Sequence, residues 1–167
     1  MLRHRLSTVA LLALLAVLVG DLVLDYPKLP ARVASHFDWA GAPNGWMSRQ
    51  QFLIVTAVLI VVFVSLFVGV ARIARLPDEK LNLPNKDYWL APERRGKTMH
   101  LLCEWMRWFL VLTLSVLVLA IVAAVHANLS PVPHFERGVV VAMLALLCAA
   151  PVMIAWLIWR LQAKPAA

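Results

Sequence analysis

The sequence predicts an all-α integral membrane protein of four transmembrane helices, with an ordered outer loop and a short amphipathic inner segment leading into the third helix. Three observations carry that expectation. Hydrophobic residues make up 62% of the chain and charged residues only 15%, against roughly half and a quarter in soluble domains. The apolar residues gather into four runs, each near the ~20 residues that a helix needs to cross a bilayer core. The Lys and Arg residues lie almost wholly between those runs. A soluble domain of this size has no interior able to hide four such runs, so part of its solvent is lipid. The formal net charge of +7 would suggest nucleic acid in a soluble protein. With the charge confined to the connections, it points to anionic lipid headgroups and topology instead, and no nucleic-acid partner is expected.

The whole chain, 1–167, is expected to form one membrane domain. The first span is placed at residues 6–24. It follows Met1-Leu-Arg-His-Arg, which has the look of a signal-peptide n-region. The run is longer than an ordinary h-region and no A-x-A site follows, so an uncleaved helix is expected. The second span, 52–71, holds no charged residue. The third is placed at 109–125 and the fourth at 139–159. Pro151 lies within the fourth, where it removes one helical hydrogen bond and should kink the helix. The connections are then an outer loop at 25–51, an inner loop at 72–108 and an outer loop at 126–138.

Charge asymmetry gives the orientation. Twelve of the sixteen Lys and Arg residues flank the termini or lie in the second connection, and four lie in the first and third. The positive-inside rule then places both termini in the cytoplasm. Trp105, Trp108, Trp156 and Trp159 flank the inner ends of spans three and four, and Trp46 the outer end of span two, as headgroup-level rings do. Cys103 and Cys148 form no framework or CxxC pair and read as packing residues. Asn128-Leu-Ser130 is a formal glycosylation sequon. Gly41 and Gly45 make a G-x-x-x-G, but in a polar loop, where the helix-dimer reading does not apply.

Two connections are too patterned to be spacers. In the first, Val33, Ser35 and Phe37 alternate with Ala34, His36 and Asp38 as in a short strand. Pro43-Asn44-Gly45 then reads as a turn. An ordered cap resting on the helix ends is expected. In the second, Ala91-Pro92-Glu93 reads as a helix start. That helix would run through Met99, Leu102, Trp105 and Met106 into span three. Its apolar face would lie along the membrane surface with Arg94, Arg95 and Lys97 near anionic headgroups, and Tyr88 and Trp89 docked at the interface.

The residues Leu29-Pro30, Val33, His36-Phe37, Gly41 and Pro43-Asn44-Gly45-Trp46 together resemble a bacterial membrane domain of unknown function, one also found at the N-terminus of SdpI-type immunity and signalling proteins. The inner segment Asn82-Leu-Pro84-Asn85-Lys-Asp-Tyr88-Trp89-Leu-Ala-Pro92-Glu93-Arg94-Arg95 is similar to a motif of small members of that group. The match covers about a quarter of the chain. Ala34 stands where the family often carries proline, and the further spans of the longer immunity proteins have no counterpart here. The resemblance implies the family's fold and location, a bacterial cytoplasmic membrane, rather than toxin immunity itself.

Candidate chemistry gathers on the outer side. His36 and Asp38 share that side with His126, His134 and Glu136. Imidazole and carboxylate suit zinc or another divalent metal, which gives one reading: a site built from His36, Asp38 and one of His126 or His134. The other reading has His36 hydrogen-bonding loop backbone and holding the turn. Asp21 and Asp25 lie four residues apart on one helix face near the end of span one. They form a candidate cation or proton site, or helix-end carboxylates that pair with Lys28 or Arg32. Glu104 and Arg107 read as a helical i,i+3 pair at the inner surface, beside His100. No nucleophile elbow, phosphate loop or dinucleotide fingerprint is present, so neither catalysis nor a cofactor is expected. The functions that remain are a non-enzymatic sensor or immunity-like protein with a membrane-protein or peptide partner, a small oligomeric transporter or channel subunit, and last a metal-dependent membrane enzyme.

Overall fold

The computed structural model describes residues 2–163. Lys164, counted above among the basic residues of the C-terminal end, and the side chains of Leu2, Arg3 and His4 lie outside the described part. The chain runs as α1 (Leu2–Asp25), a 3-10 turn (Tyr26–Lys28), β1 (Arg32–Phe37), β2 (Pro43–Ser48), α2 (Arg49–Ile73), a second 3-10 turn (Asp78–Lys80), α3 (Lys86–Trp89), α4 (Pro92–Leu129) and α5 (Arg137–Gln162). Among the described residues four helices are long and apolar enough to cross a membrane: Arg5–Lys28, Arg49–Ile73, Pro92–Leu129 and Arg137–Gln162. Each contains one of the four expected spans. α5 continues unbroken through Pro151.

α4 is the centre of the bundle and packs against α1, α2 and α5. Its buried residues Val111, Leu114, Val118, Ile121 and Val125 recur at alternating spacings of three and four, the seam that lets one helix lock into its neighbours. Leu11, Leu18 and Leu22 of α1 and Phe52 and Phe67 of α2 complete the cluster. The outward faces are equally apolar: Val9, Leu12, Val23, Val61, Val68, Val141 and Val152 are all exposed. Water would penalise such a surface by ~25 cal/mol per Å², whereas lipid does not.

The fold is not strictly all-α, because the first connection forms an antiparallel hairpin of β1 and β2. The strand read over 33–38 is present. The turn is displaced from its expected place, since Pro43, Asn44 and Gly45 belong to β2. The chain reverses earlier, at Asp38–Ala42. There Asp38 Oδ1 accepts from the amides of Ala40 and Ala42, both at 2.9 Å, and Gly41 takes φ +84°. An aspartate that satisfies two turn amides outweighs the Asn-Gly signal, and Pro43, with no amide hydrogen to place, opens the second strand. β2 leads straight into α2 through a reciprocal capping box between Ser48 and Gln51.

Gly41 is required for a second reason. A Cβ there would lie 2.4 Å from the carbonyl oxygen of Phe135 and 2.8 Å from Cε1 of His134. Gly41→Ala is therefore expected to destabilise the cap by about 1–3 kcal/mol, through the clash and the unfavourable φ together. Thermal unfolding in detergent, monitored by Trp fluorescence, checks this.

The segment leading into α4 also differs from expectation. α4 is continuous over its 38 residues, and nothing between Pro92 and Leu129 breaks helical hydrogen bonding. At 1.5 Å per residue it is about 57 Å long, well beyond the ~30 Å of hydrocarbon, so one end stands clear of it. The apolar face of that end is covered by protein rather than spread on a membrane surface. Met99 and Leu102 pack with Leu81, Trp89, Leu90 and Leu161.

The Asn82–Arg95 motif makes that cover and caps two helix ends. Asn85, at φ 51°, donates through Nδ2 to the carbonyls of Leu161 and Gln162 at 3.2 and 3.1 Å. Trp89 donates its indole N–H to Leu161 at 2.7 Å. Arg95 donates to the carbonyls of Ala74 and Leu76 and pairs with Asp78 at 2.8 Å. The last carbonyls of a helix lack intrahelical partners, and these side chains supply them for α5 and for the chain leaving α2. Trp89, expected at the lipid interface, is instead buried in protein, while Tyr88 is half-buried with the Arg94 guanidinium 4.2 Å from its ring centre.

Candidate functional site at the hairpin end

Asn128 ties the hairpin to the bundle through its side-chain amide. Asn128, buried in the last turn of α4, accepts from the Ala34 amide at 2.7 Å and donates to the Ala34 carbonyl at 2.8 Å. It also donates to Ala124 of its own helix at 2.8 Å. The primary amide thus stands in for a third strand along the open edge of β1, where backbone groups would otherwise be unpaired. Its nitrogen is fully committed, so the sequon at Asn128 is not an accessible glycan acceptor. The connection between α4 and α5 closes the other side. The Phe135 amide donates to the Gly41 carbonyl at 2.9 Å, and the Phe37 and Phe135 rings lie 4.5 Å apart. Arg49 ties the start of α2 to the 3-10 turn that follows α1 by donating to the carbonyls of Pro27 and Leu29.

Beneath the hairpin is a cavity of about 480 Å³. Its floor is apolar: Phe135, Val140, Met143, Leu144 and Leu147. Its rim carries Ser35, His36, Asp38 and Asn44. Trp39, 84% exposed, stands at the turn beside it. His36 Nδ1 lies 3.2 Å from the Ser35 hydroxyl, and the His36 side chain packs on Gly45, where a Cβ would lie 2.9 Å from His36 Cβ and 3.1 Å from Nδ1. Pro30 and Trp46 are exposed around the same cap, Trp46 under the Arg32 guanidinium at 5.7 Å.

A second feature lies where α1 and α4 end together. His126 Nε2 is 2.7 Å from Asp21 Oδ1 and 3.8 Å from Asp25 Oδ2. Lys28 pairs with the other Asp25 oxygen at 2.6 Å. Asp21 Oδ2 is buried with no hydrogen-bond partner. The ligand atoms of Asp21, Asp25 and His126 all lie within 4.8 Å of one another, and among the described residues they form the one such group of three. The structure therefore brings His126 to the two aspartates. It leaves His36 and Asp38 on the hairpin and His134 against Gly41. At the opposite end Glu104 and Arg107 make the expected i,i+3 pair, at 3.4 Å and largely buried.

Asn128 is the residue that sequence reasoning passed over. Its signal was a polar amide at the end of an otherwise apolar run, which the sequon reading absorbed.

These four long apolar helices, with their lipid-compatible outer faces, define a multi-pass membrane protein. Within it, a family model described as a domain of unknown function (DUF1648) matches residues 10–61. That stretch takes in most of α1, both strands and the first half of α2. It includes Asp21, Asp25 and the hairpin, but not His126 or Asn128. No curated protein and no solved structure matches the chain.

Proposed function

We propose that the chain is a non-enzymatic sensor or immunity-like protein of a bacterial cytoplasmic membrane, with both termini inside and the hairpin outside. Its outer end receives an amphiphilic ligand, such as a membrane-active peptide. One observation supports this above the others: the cavity under the hairpin joins an apolar wall along α4 and α5 to a polar rim on the cap. An amphiphile entering there would place its apolar part among Val140, Met143 and Leu147 and its polar part against His36, Asp38 and Asn44. Small-molecule and peptide sites share this pattern of apolar walls with a few placed polar groups. The exposed Arg72, Arg75, Lys80, Arg94 and Lys97 at the other end are suited to anionic headgroups of the inner leaflet. The ordered hairpin and the basic opposite end give such a protein one face for each side of the membrane.

A photo-crosslinker placed at Trp39 tests this in native membranes. Capture of a discrete peptide, lost when Ala120→Phe fills the cavity floor, is the expected result. Recovery of bulk lipid alone, with equal yield from the filled variant, would sink the reading. The runner-up, an oligomeric transporter or channel subunit, draws support from the Asp21 carboxylate facing His126 within the helices.

A further inference from the structure

We propose that Asp21, Asp25 and His126 form a binding site for a divalent transition-metal ion of the zinc class, bridging the ends of α1 and α4. The proposal is independent of the ligand reading of the cavity. It begins from the unbalanced charge of the place. α1 ends with two carboxylates and no basic residue in its last turn. A helix C-terminus carries about half a negative charge, so it repels carboxylates there. α4 also ends beside them, and its last turn places His126 against both. Two negative helix ends and two carboxylates converge on one imidazole.

The second observation is the orphaned oxygen. Asp21 Oδ2 is buried and accepts no hydrogen bond, and an unmet buried carboxylate oxygen is unfavourable. A cation at this point would satisfy it. The donor set selects the class of cation. One imidazole nitrogen with two carboxylate oxygens suits zinc and its neighbours, whereas calcium takes oxygen alone and copper(I) prefers sulfur. Three protein ligands leave a fourth position open to water or another ligand.

The geometry needs modest adjustment: the 2.7 Å contact of His126 Nε2 with Asp21 Oδ1 must open slightly, and the wider separations must close. The donor atoms lie within 4.8 Å of one another, and a tetrahedral ion with bonds of about 2.0 Å brings them to roughly 3.3 Å. The most exposed of the three ligands can take up the change. The His126 side chain is 58% exposed, which also gives the ion a route in from solution. Lys28, 63% exposed, neutralises Asp25 in the metal-free chain. The amine end of that pair lies in solvent, so an arriving ion can displace it.

The test is calorimetric titration of the EDTA-stripped full chain in detergent with ZnCl2, with cobalt(II) absorption as a spectroscopic readout. One equivalent of zinc is expected to bind, and cobalt(II) to give the visible bands of a four-coordinate site. Losing a residue that merely orients a ligand weakens metal sites by about 10–100-fold, so Asp21→Asn and His126→Ala, which remove direct ligands, should each weaken binding by on the order of 100-fold. The double variant His36→Ala/His134→Ala should bind as the parent chain does. Should Asp21→Asn or His126→Ala fail to fold, Asp25→Asn decides, because it keeps the Asp21–His126 contact and should still weaken binding. No stoichiometric binding by the parent, unchanged affinity in folded ligand variants, or loss of binding in the His36/His134 variant would each overturn the assignment.

Discussion

Asn128→Ala is expected to release the hairpin from the bundle and to destabilise the protein by about 3–5 kcal/mol. The substitution strands the Ala34 amide and carbonyl, which face away from β2 and meet Asn128 at 2.7 and 2.8 Å. Each buried backbone group left unmet costs about 1–3 kcal/mol, and the removed side chain leaves a void besides. Asn128→Asp separates the contributions. Its carboxylate still accepts from the Ala34 amide but cannot donate to the Ala34 and Ala124 carbonyls. It should therefore be at least as damaging as alanine near neutral pH, since it sets a charge against two carbonyl oxygens. Denaturant unfolding in detergent gives the magnitude. Limited proteolysis gives the location, with cleavage expected first near Asp38–Ala42. Wild-type stability in the alanine variant would show that the cap is held by other contacts.

Trp89→Ala should have a comparable effect at the opposite end. The side chain is buried against Leu81, Met99, Leu102 and Leu161, and deleting a buried aromatic costs about 3–5 kcal/mol. It also frees the Leu161 carbonyl from its 2.7 Å indole bond. Trp89→Phe keeps most of the ring contacts and loses that bond alone, for which about 1 kcal/mol is expected. Thermal unfolding of both variants, with protease sensitivity of the α5 end, distinguishes packing from capping. A larger loss in the phenylalanine variant than in the alanine variant would contradict the packing account.

The two ends of the molecule use the same device. At one, Asn128 on a helix end completes a strand edge. At the other, Asn85, Trp89 and Arg95 complete the ends of α5 and the chain after α2. In both, a polar side chain distant in sequence satisfies backbone groups that neither helix nor strand can pair internally. Water can satisfy such groups at the surface of a soluble protein. Near a bilayer it is scarce, and an unmet backbone group there is expensive. The patterned connections therefore have a structural task as well as any functional one.

What the sequence by itself determined was set by composition and period. The four spans, the helix start at Pro92, the strand before Asp38 and the Glu104–Arg107 pair follow from local rules: a run of apolar residues, a proline at the first helical turn, an alternation, a spacing of three. These need no knowledge of what packs where, because lipid fixes the environment of the helices in advance. The tertiary structure decided what depends on distant partners. It moved the turn from Pro43–Gly45 to Asp38–Ala42 because Asp38 can satisfy two amides and Gly41 must pass beneath Phe135. It withdrew Trp89 from the interface because the end of α5 arrives beside it. It also brought His126, 105 residues away, to Asp21. A helix pattern states which face a residue occupies, but only the packing of α1 against α4 settles which two ends meet, and so which carboxylates a histidine finds.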